Sequence, residues 1–180
     1  MNRRRTRQQP VLPVVGIDIG GVIVDRAAED SDTSFFGRHP METPAVPGAF
    51  DAIGRLMELF EDRVHIVSKA GPRIAKLSQD WLAERGAFND AGIHRANLHF
   101  VRQRHEKSEV CERLGITHFV DDRLDVLAHL TTVEHRYLFV GGLGQHKPPS
   151  SVPKLIRTVP TWPALVSAIE ATLERWSTAP

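Results

Sequence analysis

VLPVVGIDIGGVIV, residues 11–24, decides the fold. It is almost continuously apolar and rich in β-branched residues, the pattern of a strand buried on both faces that runs into a glycine-marked turn. Asp18 interrupts it. An unpaired carboxylate in such a place costs on the order of several kcal/mol, so Asp18 needs a strong partner or a task.

Working outward, the chain alternates. Residues 25–47 are polar and carry glycine and proline, which reads as a loop or a very small insertion. Phe50, Ile53, Leu56, Met57 and Phe60 then recur at three- and four-residue spacing, predicting a helix that begins near Pro47. Val64–Val67 is a second strand, and Pro72 opens a helix through Ile74, Leu77, Trp81 and Leu82 that stops at Gly86. Leu98–Val101 is a third strand, followed by a charged helix around Glu106–Leu114 that ends at Gly115. His118–Val120 is a fourth strand running into two aspartates, and Tyr137–Val140 a fifth. Pro148, Pro149, Pro153 and Pro160 break up the segment beyond the fifth strand, and a last amphipathic helix carries Leu165, Ile169, Leu173 and Trp176.

Strands alternating with helices predict a three-layer, doubly wound α/β fold with a mainly parallel sheet. At 180 residues the chain is sized for one domain. We read 1–10 as a basic, solvated arm with Arg3, Arg4, Arg5 and Arg7, and 11–180 as a single domain with a small cap insertion near 26–47. Hydrophobic residues are 41% and charged residues 25%, and 23 basic against 22 acidic side chains leave a net charge of +1, which argues against a general polyanion binder. Nucleic acid is therefore the less favoured partner. One cysteine, Cys111, excludes an internal disulfide framework and a cysteine-built zinc site, and it points to a reducing, by default cytoplasmic, compartment. Pro10, Pro13 and Asp18 break the first apolar stretch, so neither a signal peptide nor a membrane span fits it. Nine histidines show no metal-binding helical pair and read as surface or packing residues, as the three tryptophans read as packing groups.

Ligands in doubly wound sheets bind beyond the carboxyl ends of the strands, where loops converge and helix amino termini face anions. The residues just after each apolar run are Asp18, then Ser68 with Lys69, then Arg102 to Lys107, then Asp121 and Asp122. Phosphoryl transfer through an aspartyl intermediate needs that set: a carboxylate nucleophile, hydroxyl and cationic groups for phosphoryl oxygens, and further carboxylates to hold Mg2+. A divalent cation removes the repulsion between an attacking carboxylate and a phosphate dianion.

Four motifs in this order resemble the haloacid dehalogenase (HAD) superfamily of phosphatases over roughly residues 14–127: GIDIGGVIVD, HIVSKAG, RHEKSEVCERLG and THFVDDRLDVL. The combination of PGAFDAIGRLMELF, VHIVSKAGP and HFVDDRLDVL is most similar to small 5'-nucleotidase-like members. The resemblance implies a HAD-like Rossmann-type fold with a minimal cap and a magnesium-dependent phosphohydrolase. It implies Asp18 as nucleophile and metal ligand, the Gly20 carbonyl as a second metal ligand, and residues 21–25 as the turn that shapes the site. Ser68, with Lys69 beside it, would bind the substrate phosphate, Lys107 would be the catalytic lysine, with Arg102, Arg104 and Lys69 as rival cations, and Asp121 and Asp122 would hold the metal, with Asp125 assisting. A small-molecule phosphate ester or a phosphorylated macromolecule would be the substrate, and a second copy of the chain is a further conceivable partner.

One departure is serious. Family phosphatases usually carry a second aspartate two residues after the nucleophile as general acid and base, where this chain has Gly20. That group is worth about 10² to 10⁴-fold, so turnover of alkyl phosphates should be slow unless Asp25 or His39 substitutes. Two other functions compete. A catalytically weakened HAD-like domain would serve as a binding or regulatory module. GIDIGG also resembles the phosphate turn of actin-like sugar kinases, although those bind ATP between two domains and usually follow the paired glycines with threonine, where Val22 stands here. GGLG at 141–144 invites a dinucleotide reading, but Pro148 and Pro149 keep a helix from starting where pyrophosphate would sit, so it reads as a flexible loop.

Overall fold

The computed structural model describes residues 12–25, 36, 39–142 and 149–177. The basic arm 1–10, residues 26–38 of the insertion apart from Phe36, the Leu143–Gly144 half of GGLG and the side chain of Trp176 lie outside the described residues.

Among the described residues six strands form one sheet: β1 (Val15–Ile17), β2 (Val64–Lys69), β3 (Leu98–Val101), β4 (His118–Asp121), β5 (His135–Phe139) and β6 (Ile156–Val159). Their order is β3-β2-β1-β4-β5-β6 and every pair is parallel. Between them and after them run α1 (Ala49–Leu59), α2 (Pro72–Glu84), α3 (Glu106–Leu114), α4 (Leu124–His129) and α5 (Trp162–Ser177). The three-layer doubly wound fold read from the sequence is the one present.

The pleat sorts the core into two halves. Ile66, Val120 and Phe139 face a cluster closed by Ile53 and Leu56 of α1, Trp81 and Leu82 of α2, and Leu165 and Ile169 of α5. Val67, Phe119 and Leu138, each next to one of these along its strand, face a second cluster with Val110 and Cys111 of α3 and Val126 and Leu127 of α4. Fully burying each such apolar side chain contributes roughly 1.5–3 kcal/mol, which is why central strands tolerate so few polar positions. Gly16 sits inside β1 because its partner Phe119 fills the space: a Cβ on Gly16 would lie 2.5 Å from the Phe119 ring. Helix ends follow the expected chemistry, with Gly86 after α2 at φ 77° and Gly115 closing α3 at φ 64°.

The differences from the sequence reading are local. β6 lies in the stretch that the prolines were expected to leave irregular. Only Ile156 and Val159 of its four residues are buried, so no alternation is legible, and Pro153 and Pro160 flank an edge strand that pairs on one side alone. The sheet is wholly rather than mainly parallel. β2 and β4 extend through Ser68–Lys69 and Asp121, and β5 starts two residues early at His135, because ladder pairing carries polar residues that an apolar count leaves out.

Candidate active site

The strand order reverses between β1 and β4, since β1 is followed in sequence by β2 on one side while β4 and β5 continue on the other. That reversal opens a crevice at the carboxyl ends of these two strands. Ile17 of β1 pairs with Val120 of β4, so Asp18 and Asp121, one residue further along, stand side by side. The Asp18 N–H donates to the Val120 carbonyl at 3.0 Å, which continues the ladder and fixes the residue. Asp18 is 7% exposed and Asp121 is fully buried.

Beyond Asp18 the chain doubles back. Ile23 and Val24 both donate to the Ile19 carbonyl at 2.9 Å, and Gly21 donates to Val24 at 2.8 Å. Gly21 takes φ 73°, a conformation side chains resist, and it sits against Asp122: a Cβ there would be 2.5 Å from Asp122 Oδ2. Gly20 is buried in this turn.

Lys107 arrives from α3. Glu106 starts that helix by accepting the N–H groups of Arg102 at 2.8 Å and Gln103 at 3.1 Å, which sets where the next residue points. Lys107 is 2% exposed, with Nζ 2.7 Å from Asp121 Oδ2 and 3.0 Å from Asp18 Oδ1. Its ammonium also lies 5.7 Å from the centroid of the Phe119 ring.

The electrostatics have one direction. Burial pulls the Lys107 ammonium down, but Asp121 and Asp18 outweigh it and its pKa ends above the ordinary value. Burial pushes Asp121 up to about 8, against the opposing pull of Lys107, and Asp18 and Asp122 push it further the same way. Lys107 is drawn up by Asp121 and Asp18, while Asp121, already raised by burial, is raised further by its neighbours Asp18 and Asp122, so the pocket favours positive charge. Asp121 Oδ1 accepts the Arg123 N–H at 2.9 Å. Asp18 Oδ1 is buried and faces the Lys107 ammonium as an ion pair at 3.0 Å, with no further hydrogen-bond partner. Buried carboxylate oxygens are rarely left so.

One oxygen from each of Asp18, Asp121 and Asp122 lies within 4.8 Å of the others. An all-oxygen donor set with surplus negative charge and an orphaned buried oxygen fits a hard divalent cation such as Mg2+. The residues therefore suit the metal inferred from the sequence.

The other sequence-derived positions divide. Ser68 is buried at the end of β2, and its hydroxyl makes no hydrogen bond to another described residue. Lys69, next to it, is exposed and not in contact with the carboxylates. Asp125 does not join the group: it is exposed, and Arg123 grips both its oxygens at 3.0 Å. A nearer cation thus claims this carboxylate. Asp25 and His39 are also outside the acidic group, His39 being exposed at the start of a 3-10 turn over Pro40–Glu42. The sequence reading missed Glu106 as the residue that seats Lys107. Its signal was an acid three and four residues beyond Gln103 and Arg102 at a helix start.

A search of solved structures finds a haloacid dehalogenase-like family hydrolase from Xanthomonas campestris with a TM-score of 0.59 and 12% identity, covering 95% of this chain and 100% of that one. This chain has the haloacid dehalogenase-like fold. A haloacid dehalogenase-like protein from Burkholderia xenovorans shares 17% identity over 78% of this chain and 62% of that one, at a TM-score of 0.47. No family model and no curated relative matches the chain. In this HAD-like fold the acidic group sits at the sheet's switch point, and among the described residues no helix is long and apolar enough to cross a membrane.

Proposed function

We propose that the chain is a magnesium-dependent phosphohydrolase that works through a phosphoryl-aspartate at Asp18, with ancestry among 5'-nucleotidase-like HAD members. The observation that carries this reading is the buried Lys107 ammonium held between the buried Asp18 and Asp121, with the half-buried Asp122 alongside. The fold shared with a HAD-like hydrolase supports it.

Asp18, Asp122, Asp121 and the Gly20 carbonyl would hold the ion, which supplies Lewis-acid neutralisation of the phosphoryl oxygens. Lys107 orients Asp18 and screens its charge during attack. Ser68, with its uncommitted hydroxyl, would donate to a phosphoryl oxygen, and Lys69 would act from the rim rather than from within. One Asp18 oxygen attacks phosphorus as the ester P–O bond breaks. The leaving oxygen takes a proton from solvent, because Gly20 offers no acid. Water then attacks the phosphoryl-aspartate, releasing inorganic phosphate and restoring Asp18. This chemistry favours phosphates with good leaving groups, whether on a small molecule or on a macromolecule. A reducing, cytoplasmic setting suits the lone buried Cys111.

The missing acid also favours a second reading, a HAD-like binding or regulatory module that keeps the cation and phosphate site without rapid turnover. The actin-like kinase alternative has no support, because the described residues form one sheet rather than two lobes across an ATP cleft. The test is hydrolysis of an aryl phosphate with Mg2+ and with chelator. Release that needs the metal and disappears in Asp18→Asn supports the phosphohydrolase. Mg2+ binding without release supports the module, and neither binding nor release rejects both.

A further inference from the structure

Two features that look ordinary in sequence, the paired glycines after β5 and the tryptophan opening α5, converge on the turn that follows Asp18. The Trp162 indole is fully buried, and its N–H donates to the Val22 carbonyl at 3.0 Å across 140 residues of chain. Its ring packs on Phe139 of β5 with centroids 5.6 Å apart. Gly142 is seated on the neighbouring peptide: a Cβ there would collide with the Gly21 carbonyl oxygen and come 2.9 Å from Val46 Cγ2. Gly141 is pressed just as closely on the Pro160 carbonyl, which joins the two braces at the β6–α5 corner.

Gly21 and Val22 belong to the loop closed by the Ile19 carbonyl, and Gly21 touches the Asp122 carboxylate on its other side. Consecutive peptides thus contact Gly142 and Trp162, and Gly21 lies close against Asp122 as well. We infer that Trp162 and Gly142 are positioning residues for the cation site: they set the Gly20–Val22 backbone, and through it the Gly20 carbonyl and Asp122. This inference rests on the reading of the acidic group as a cation site and extends it to the last third of the chain. It also explains GG at 141–142 without a dinucleotide: the loop needs two residues lacking Cβ to lie against two carbonyls.

Trp162→Phe removes the indole N–H together with the five-membered ring, leaving Val22 O without its buried donor beside a small cavity, and Gly142→Ala adds one methyl against Gly21. Trp81→Phe is the control for the lost ring and its cavity, since the Trp81 indole is equally buried and donates to Thr43 O at 2.9 Å, a carbonyl that keeps Arg85 as a second donor at 3.1 Å. Calorimetric titration with MgCl2, without substrate, should show Mg2+ affinity lowered about 10-fold in Trp162→Phe and in Gly142→Ala, the range seen when outer supports of metal ligands are removed. Trp81→Phe should lower the melting temperature and keep its Mg2+ affinity. In aryl phosphate turnover the two brace variants should lose kcat with little change in KM at saturating Mg2+. In the unsubstituted protein, the Trp162 indole N–H resonance should move on adding Mg2+ while that of Trp81 stays, a readout that does not depend on any variant folding. Unchanged Mg2+ affinity in folded Trp162→Phe or Gly142→Ala, an equal loss in Trp81→Phe, or a silent Trp162 resonance in a protein that binds Mg2+ overturns the inference and leaves the cation site standing. An unsubstituted protein that binds no Mg2+ overturns the site itself, and the inference with it.

Discussion

Strand β4 carries a fully buried polar side chain at each end, His118 at its start and Asp121 at its finish, and the two are treated very differently. His118 Nδ1 lies 2.8 Å from Thr117 Oγ1 and Nε2 2.9 Å from Thr172 Oγ1, between the rings of Phe60 and His135. Both nitrogens have partners, and burial, with His135 adding to it, holds the ring neutral with its pKa pushed down to about 3. Asp121 instead shares one ammonium with Asp18, and burial pushes its pKa the other way. The lesson concerns completeness. A buried polar group whose partners match its protons is core structure, whereas one left in a charge surplus beside an orphaned oxygen marks where something else binds.

The comparison can be broken first at Asp18. Asp18→Asn should abolish Asp18-dependent phosphate release while the melting temperature holds or rises, because one of three crowded carboxylates loses its charge. Loss of folding with loss of activity would make the site structural, like the other end of β4. Lys107→Met should destabilise the protein by about 3–5 kcal/mol in denaturant melts, since it strips the buried ammonium from Asp18 and Asp121. Added Mg2+ should recover part of that loss. Gly20→Asp should raise turnover of alkyl phosphates by up to about 10²-fold relative to aryl phosphates. Gly20 has no positive φ, unlike Gly21, so its backbone accepts a side chain. Equal rates on both substrates before and after the change would show that no acid is missing.

At the other end of β4 the effects are smaller. Thr172→Val removes the hydroxyl facing His118 Nε2 and should cost about 1–3 kcal/mol without changing kcat or Mg2+ affinity. The pH response comes from the same residue. The folded chain holds His118 near 3 and His65, half-buried beside His99, near 4, against an ordinary 6.5. The unfolded chain therefore binds more protons between those values, so this stability is complete above about pH 6.5 and is lost as pH falls toward 3–4. Asp121, raised to about 8, works the other way as pH falls, so the histidine part is read in Asp121→Asn: its melting temperature should fall from pH 7.5 to 4.5, and a flat profile there would mean that these rings take up protons in the fold as readily as in the unfolded chain.

Most of the frame was legible because it rests on periodicity. The α1 stripe, the glycine stops at Gly86 and Gly115, and the apolar runs of β1 to β4 are local signals that pairing and packing preserve. β6 was not, because four residues between prolines owe their conformation to β5 rather than to their own pattern. At the site, Asp18, Lys107, Asp121 and Asp122 could be named from their places after strands, and they meet in space. Lys69 and Asp125 show the limit of that logic: position after a strand brings a residue to the rim, but the pleat and a nearby arginine decide whether its side chain turns inward. Trp162 and Gly142 were invisible as contributors, since nothing in sequence says that residues 140 and 121 positions away from Val22 and Gly21 press on their carbonyls.

The account stands on Asp18 becoming phosphorylated. Borohydride reduction of the protein during turnover of an aryl phosphate with Mg2+, followed by peptide mass spectrometry, reads this directly, because reduction converts a phosphoryl-aspartate to homoserine. The account predicts homoserine at position 18, dependent on Mg2+ and on substrate. Phosphate release with Asp18 unmodified, or the modification at another aspartate, would contradict it.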